Sequence, residues 1–223
     1  MEQIISGVAK FQKDVFPDKK ADFQKLAGGQ SPEVLFITCS DSRVDPSLVT
    51  QTQPGELFIC RNAGNVVPPR TNQTGGMTAS IEFAVAGLGV SHIVVCGHTD
   101  CGAVKGAIAP EKLDEMPHVR EWLGHCSAAT AVVKERRGEI SHEHLDEVTQ
   151  ENVLLQLQHL RTHPSVAAKL ANGRLTLHGW VYNIGSGEVL CFNEESGQFE
   201  VMDERYRKFM DQSLNAVANG DAV

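Results

Sequence analysis

Two short apolar runs, VLFIT at residues 34–38 and HIVVC at 92–96, constrain the fold more than any other part of the chain. β-Branched and aromatic residues dominate them, and each stops abruptly at polar or glycine residues, so each reads as a buried strand. A third run, ELFIC at 56–60, has the same character, and the helical stretch MTASIEFAVAGLG lies between it and HIVVC. Strands alternating with helices imply crossovers and hence a mainly parallel sheet, so the fold class is α/β. Farther on, RLTLHGWVY and EVLCF flank Asn183, Gly185, Ser186 and Gly187, a hairpin signal that adds one antiparallel strand at an edge. Segments 1–13, 18–27, 117–137 and 142–161 and the tail from Glu204 carry helical patterning. The 223 residues suffice for one sizeable core, and no Pro/Gly/Ser-rich linker divides them.

Both of the first two strands run into chemistry. FITCSDSRVDP places Cys39, Asp41 and Arg43 at the mouth of one strand, and extended backbone would turn these alternate residues to the same side. VVCGHTDCGAVKGA places His98 and Cys101 at the mouth of the other, three residues apart, a spacing that a tight turn or helix start can aim at one metal. Ligands of open parallel sheets bind outside the carboxyl ends of the strands, where both clusters fall. Cys39, His98 and Cys101 make a Cys2His set. Two thiolates and an imidazole favour zinc, and three protein ligands leave a tetrahedral position for water. Two other readings stay open on these residues: Cys101 as a nucleophile activated at a helix N-terminus, and Cys39 with Arg43 as a cysteine phosphatase loop, for which the four-residue spacing is short.

Composition removes some classes of function. A net charge of -8 argues against a broad nucleic-acid surface. No apolar run approaches the roughly 20 residues of a membrane span, and MEQIISGVAK lacks the basic and apolar regions of a secretory signal, so the expected location is the cytoplasm. In that reducing compartment the six cysteines are thiols or metal ligands. Cys60, Cys96, Cys126 and Cys191 read as structural thiols.

CSDSR, followed about sixty residues later by GHTDCG, resembles the β-class carbonic anhydrases; PGELFICRNAGNVVPP, GGMTASIEFAV and LHGWVYN extend the resemblance. It implies a single domain with an N-terminal helical arm at 1–28, a zinc-binding core at 29–202 and a C-terminal helix at 203–223. It also implies one zinc ion per subunit on Cys39, His98 and Cys101, a homodimer or homotetramer, and reversible hydration of carbon dioxide to bicarbonate and a proton through a zinc-bound hydroxide. Asp41 would orient that hydroxide and Arg43 would hold Asp41. Phe58, Ala63 and Phe83 would line the substrate pocket, Phe83 reaching it from a partner subunit, with Gln30 hydrogen-bonded to bicarbonate and the Gly102 amide near the metal. Two thiolates neutralise the ion's formal charge, so activity is expected to rise toward alkaline pH.

In some relatives the aspartate matching Asp41 leaves its arginine and ligates zinc in a resting form. Relatives that bind inhibitory bicarbonate at a second site use a tryptophan three residues before the first cysteine ligand, with an arginine and a tyrosine. Arg61 and Tyr182 match, but Phe36 stands at the tryptophan position and has no N–H donor. Strong cooperative inhibition by bicarbonate is therefore not expected. A non-catalytic zinc protein and a hydrolase of carbon disulfide are the competing functions. His92, His118 and His125 are candidate proton shuttles.

Overall fold

The computed structural model describes residues 1–207. Its frame is a six-stranded sheet: β1 (Val34–Cys39), β2 (Leu57–Asn62), β3 (His92–His98), β4 (Thr176–Tyr182), β5 (Val189–Asn193) and β6 (Gln198–Val201), in the order β2-β1-β3-β4-β5-β6. The first four in that order are parallel neighbours; β5 and β6 add on antiparallel. The expected strands at 34–38, 56–60 and 92–96 and the hairpin between β4 and β5 are all present. β6 is an addition: QFEV is short, and its pairing with β5 comes from a tight turn with a left-handed Gly197 rather than from an apolar run of its own.

Around the sheet lie α1 (Glu2–Lys10), α2 (Phe16–Leu26), α3 (Pro46–Thr50), α4 (Gly76–Glu82), α5 (Gly102–Ile108), α6 (Pro117–Leu123), α7 (Ser127–Arg137), α8 (Leu145–Arg161), α9 (Pro164–Ala171) and α10 (Met202–Arg205). The expected break at 14–17 is not a gap. A single wide turn, Phe11–Val15, joins α1 to α2 immediately before Pro17. Proline has no N–H and its ring crowds the carbonyl four residues back, so the helix widens there and continues. Similarly, segment 117–137 is two helices joined by a tight turn at Gly124–Cys126. Of the segment 203–223 expected as a C-terminal helix, the described residues include the short α10, which ends at Arg205; residues 208–223 lie outside the described part.

The sheet's burial follows its order. β1 and β3, in the middle, are buried along nearly their whole length, whereas β2 at the edge is buried only at Cys60. Helix α8 covers one face: Val153, Leu157 and Leu160 pack with Leu35, Ile37, Ile93, Val95 and Val181 in one core cluster. Gly97 and Gly179 permit this approach, since a Cβ on Gly179 would meet Val153 Cγ1 at 3.0 Å and Leu157 Cδ1 at 3.2 Å. On the other face Phe36, Val94 and Cys96 form a smaller cluster with Trp180 and Tyr182 packed against it. The chain runs from β1 outward to β2 and then returns across β1 to β3. Their adjacent carboxyl ends therefore form the point where the winding direction reverses, the crevice in which α/β sheets hold ligands.

Candidate metal centre

Cys39 ends β1 and His98 ends β3, on neighbouring parallel strands, so strand pairing alone brings them side by side. Cys101 follows a turn in which Asp100 takes a left-handed conformation (φ 57°), and it caps the start of α5. The result is a triad whose ligand atoms all lie within 4.8 Å of one another, with all three residues buried. The two sulfurs are 3.9 Å apart, close to the separation of about 3.8 Å that two zinc–sulfur bonds of about 2.3 Å would give at a tetrahedral angle.

The imidazole is set up as a ligand. His98 Nδ1 is 2.9 Å from the Thr99 carbonyl oxygen, which can only accept, so Nδ1 carries the hydrogen and Nε2 keeps its lone pair. Nε2 is fully buried and has no hydrogen-bond partner among the described residues. An orphaned buried acceptor is costly unless something fills it, and a divalent cation between the two sulfurs would.

The thiols point the same way. A hydrogen bond from Cys101 pulls the Cys39 thiol down to about 4 against the opposing effect of burial, helped by His98 and by the Gly64 N–H, which donates to Cys39 Sγ at 3.4 Å. Cys101 is pushed up by the Cys39 thiolate beside it and by burial. Burial opposes protonation of His98, but the Cys39 sulfur, the Thr99 carbonyl and Asp41 together raise it. Two thiols and an imidazole crowded around a proton in short supply form a site that a soft dication can take over. The residues present fit zinc.

Asp41 lies at the rim, its Oδ2 3.9 Å from His98 Nε2. The Arg43 guanidinium holds its carboxyl well below the usual carboxylate range. Extended backbone is not what gathers Cys39, Asp41 and Arg43. The strand stops at Cys39 and the chain turns, with the Val44 N–H donating to the Asp41 carbonyl at 3.1 Å and the Arg43 N–H to Asp41 Oδ1 at 3.0 Å. An aspartate side chain that bonds the backbone two residues on favours such a turn over a continuing strand. The turn is tied down by Arg61, whose Nε donates to the Cys39 carbonyl at 3.0 Å and Nη2 to the Asp41 carbonyl at 2.7 Å.

Asp100, in GHTDCG, is not among the residues the sequence points to. It is a second anion on Arg43, accepting from Nη1 at 3.0 Å and pairing also with Lys105. Lys105, then Arg43, hold its carboxyl below the ordinary value.

Of the remaining expected site residues, Ala63 and Gly102 are chain neighbours of two groups in the metal centre, Gly64 and Cys101. The rings of Phe58 and Phe83 meet at 6.0 Å, and Phe83 is 51% exposed. Gln30 is exposed in the connection from α2 to β1, Ala63 is exposed in the turn after β2, and Gly102 is exposed as the first residue of α5. A cleft of about 840 Å³ beside β2 is walled by Arg61, Asn62, Gln73, Trp122 and His125, and another of about 580 Å³ includes Gly102; Phe58 and Phe83 line neither. Cys60, Cys96, Cys126 and Cys191 are buried, and burial pushes all four thiols up, Cys96 and Cys126 to about 12.

Comparison with known proteins places this geometry in a family. The carbonic anhydrase family profile matches residues 34–189. A carbonic anhydrase of Pseudomonas aeruginosa is 48% identical over 204 residues, covering 92% of this chain and 93% of that protein. Carbonic anhydrase 1 of Escherichia coli O157:H7 is 47% identical over 199 residues, covering 89% and 91%. The solved structure of the beta-carbonic anhydrase CcaA superposes with a TM-score of 0.87 at 40% identity, over 90% of this chain and 98% of that one. Matching motifs, the mixed sheet and a Cys2His triad at its switch point agree with these similarities, and the chain belongs to the β-class carbonic anhydrase family.

Proposed function

We propose that this protein is a zinc-dependent carbonic anhydrase that interconverts carbon dioxide and bicarbonate, CO2 + H2O ⇌ HCO3− + H+. The observation that carries the reading is the convergence of two thiols and one imidazole lone pair at the sheet's switch point, with an ionised carboxylate at their rim. Three protein ligands are the arrangement of a catalytic rather than a structural zinc. Zinc, when bound there, supplies the Lewis acidity that makes water a nucleophile near neutral pH.

The rest of the work falls to side chains. Asp41 accepts a hydrogen bond from the attacking water and so turns an oxygen lone pair toward the carbon of the substrate. Both of its oxygens accept from Arg43, Oδ1 from the backbone N–H and Nε and Oδ2 from Nη2 alone, and the single donor on Oδ2 together with its position 3.9 Å from His98 Nε2 supports Oδ2 as the oxygen facing the reaction. Arg43 is a positioning residue: the fork-to-fork pair keeps Asp41 ionised and fixed in direction.

Phe58, Ala63 and Phe83 supply apolar surface for an uncharged linear substrate, and Gln30 and the Gly102 amide are the polar contacts to bicarbonate. The exposure of Phe83 supports its delivery to a partner's site in a homodimer or homotetramer. So does α1, which presents Ile4, Ile5 and Val8 to solvent and buries none of its residues. Two beta-carbonic anhydrases of Sordaria macrospora, one of them 32% identical to this chain with a TM-score of 0.69, are described as tetrameric. The arm at 1–28, the core at 29–202 and the segment 203–223 act as one domain in this reading. The compartment is cytoplasmic, which suits six cysteines without a disulfide among them; no helix among the described residues is long and apolar enough to cross a membrane.

Phe36 is 1% exposed and packs edge-on against Trp180 at 5.9 Å, offering no donor to an anion. Bicarbonate should therefore not inhibit cooperatively. Stopped-flow hydration of carbon dioxide across pH, on protein of measured zinc content, tests the whole reading: zinc-loaded protein without hydration at any pH would refute it.

A further inference from the structure

The loop after β2 has no strand to pair with, and α8 supplies its partners instead. Asn152 Nδ2 donates to the Gly64 carbonyl at 3.1 Å, and Gln156 Oε1 accepts from the Val67 N–H at 2.8 Å. His159 Nδ1 lies 2.7 Å from the Val67 carbonyl oxygen, and His163 Nε2, just past the helix, 3.0 Å from that of Pro68. Positions 152, 156, 159 and 163 follow the spacing of one helical face. Asn152 and Gln156 are fully buried and bonded to each other, Nε2 to Oδ1, at 2.8 Å. Side chains at helical spacing thus satisfy backbone groups that burial would otherwise strand.

The head of this column touches the metal centre. Gly64 is buried with φ +82°, and its N–H donates to Cys39 Sγ. That N–H shares a peptide plane with the Ala63 carbonyl, which accepts from Trp122 Nε1 at 2.9 Å. The next peptide, carrying the Gly64 carbonyl, is the one held by Asn152. With an indole on one plane and an amide on the other, the Gly64 N–H has one direction available.

We infer that Trp122 and Asn152 are positioning residues of the metal centre: by fixing the two peptides that flank Gly64 they aim its N–H at the Cys39 sulfur and set how firmly that sulfur holds the metal. The inference rests on the zinc reading of Cys39, His98 and Cys101. Two thiolates neutralise a dication, yet each sulfur keeps electron density that a hydrogen-bond donor can stabilise. A fixed N–H donor draws some of it off and holds the sulfur in place, as partners outside the ligand set do for metal sites generally.

The test uses the full chain loaded with zinc or with cobalt(II). Trp122→Phe removes the donor while keeping an aromatic ring at the site; Asn152→Ala removes the other anchor; Leu157→Ala, on the same helix in the main core, is the control for lost packing. Zinc release to excess chelator should quicken by about tenfold in the first two, at the lower end of what loss of such partners costs. Their sulfur-to-cobalt charge-transfer band should move to longer wavelength, because sulfur that loses a hydrogen bond gives up its electrons more easily. Leu157→Ala should lower thermal stability without moving the band. Unchanged release and spectrum in Trp122→Phe would overturn the inference even if Asn152→Ala does not fold, as would an equal shift in Leu157→Ala. Wild-type protein that takes up neither metal would overturn the zinc reading as well.

Discussion

Arg43 meets Asp41 fork to fork, Nε 2.9 Å from Oδ1 and Nη2 2.8 Å from Oδ2. The pair lies at the rim of the metal centre, where Asp41 is mostly shielded while Arg43 is 43% exposed. Asp41→Asn keeps the shape and loses the charge and one acceptor. It should lower kcat/KM for hydration by about a hundredfold or more, the scale of a positioned proton acceptor, with zinc content unchanged by metal analysis. Full activity would remove Asp41 from the mechanism.

Asp100 engages the remaining arm of the same guanidinium through Nη1. Because this contact is exposed, its loss should be mild. Asp100→Asn is expected to reduce kcat/KM by about two- to fivefold, as an exposed ion pair would, with the reduction absent when Arg43 has already been replaced by Lys. Steady-state rates on the four members of that double-mutant cycle check the coupling.

The triad should bind its metal as a unit. His98→Ala removes the one imidazole and leaves two thiolates 3.9 Å apart without a neutral ligand. Zinc should then fall well below equimolar after dialysis, as metal analysis would read, and hydration should be lost with it. Chelation of the wild-type protein should abolish the same activity and zinc should restore it.

Acid should weaken the fold through buried imidazoles. Burial lowers the pKa of His159 and of His163, against the opposing carbonyls of Val67 and Pro68. A depressed folded pKa means the unfolded chain binds protons more readily, so this contribution is complete above the ordinary histidine value and is lost as pH falls below about 6.5. Urea unfolding of the metal-free protein should show stability falling through that window. His163→Gln should show a shallower fall; an equal slope would mean that His163 contributes nothing.

Close packing of α8 on the sheet makes Gly179 intolerant of a methyl group. A Cβ there falls 3.0 Å from Val153 and 3.2 Å from Leu157, so Gly179→Ala should cost about 1–3 kcal/mol, the usual penalty of overpacking a core, read as a lower urea midpoint at unchanged slope.

The sequence by itself determined the parallel core, the hairpin at its edge and the identity of the Cys39, His98 and Cys101 cluster, because strand burial and chemically unusual residues at strand ends leave local patterns. It also named Asp41 and Arg43, though for a local reason that does not hold: alternation along a strand, where the chain in fact turns. Tertiary structure decided the rest. Cys39 and Cys101 are 62 residues apart in the chain, and only the return of the winding from β2 to β3 puts them in contact. Asp100 joins Arg43 because a left-handed backbone angle swings it there, and the pairing of β6 depends on β5 being in place. Asn152, Gln156 and Trp122 act on backbone carbonyls and amides of a distant loop, and those partners carry no side-chain signature. A glutamine on an amphipathic helix looks the same in sequence whether it faces water or holds a loop against a metal centre; burial and the direction of a peptide plane, set by packing, make the difference.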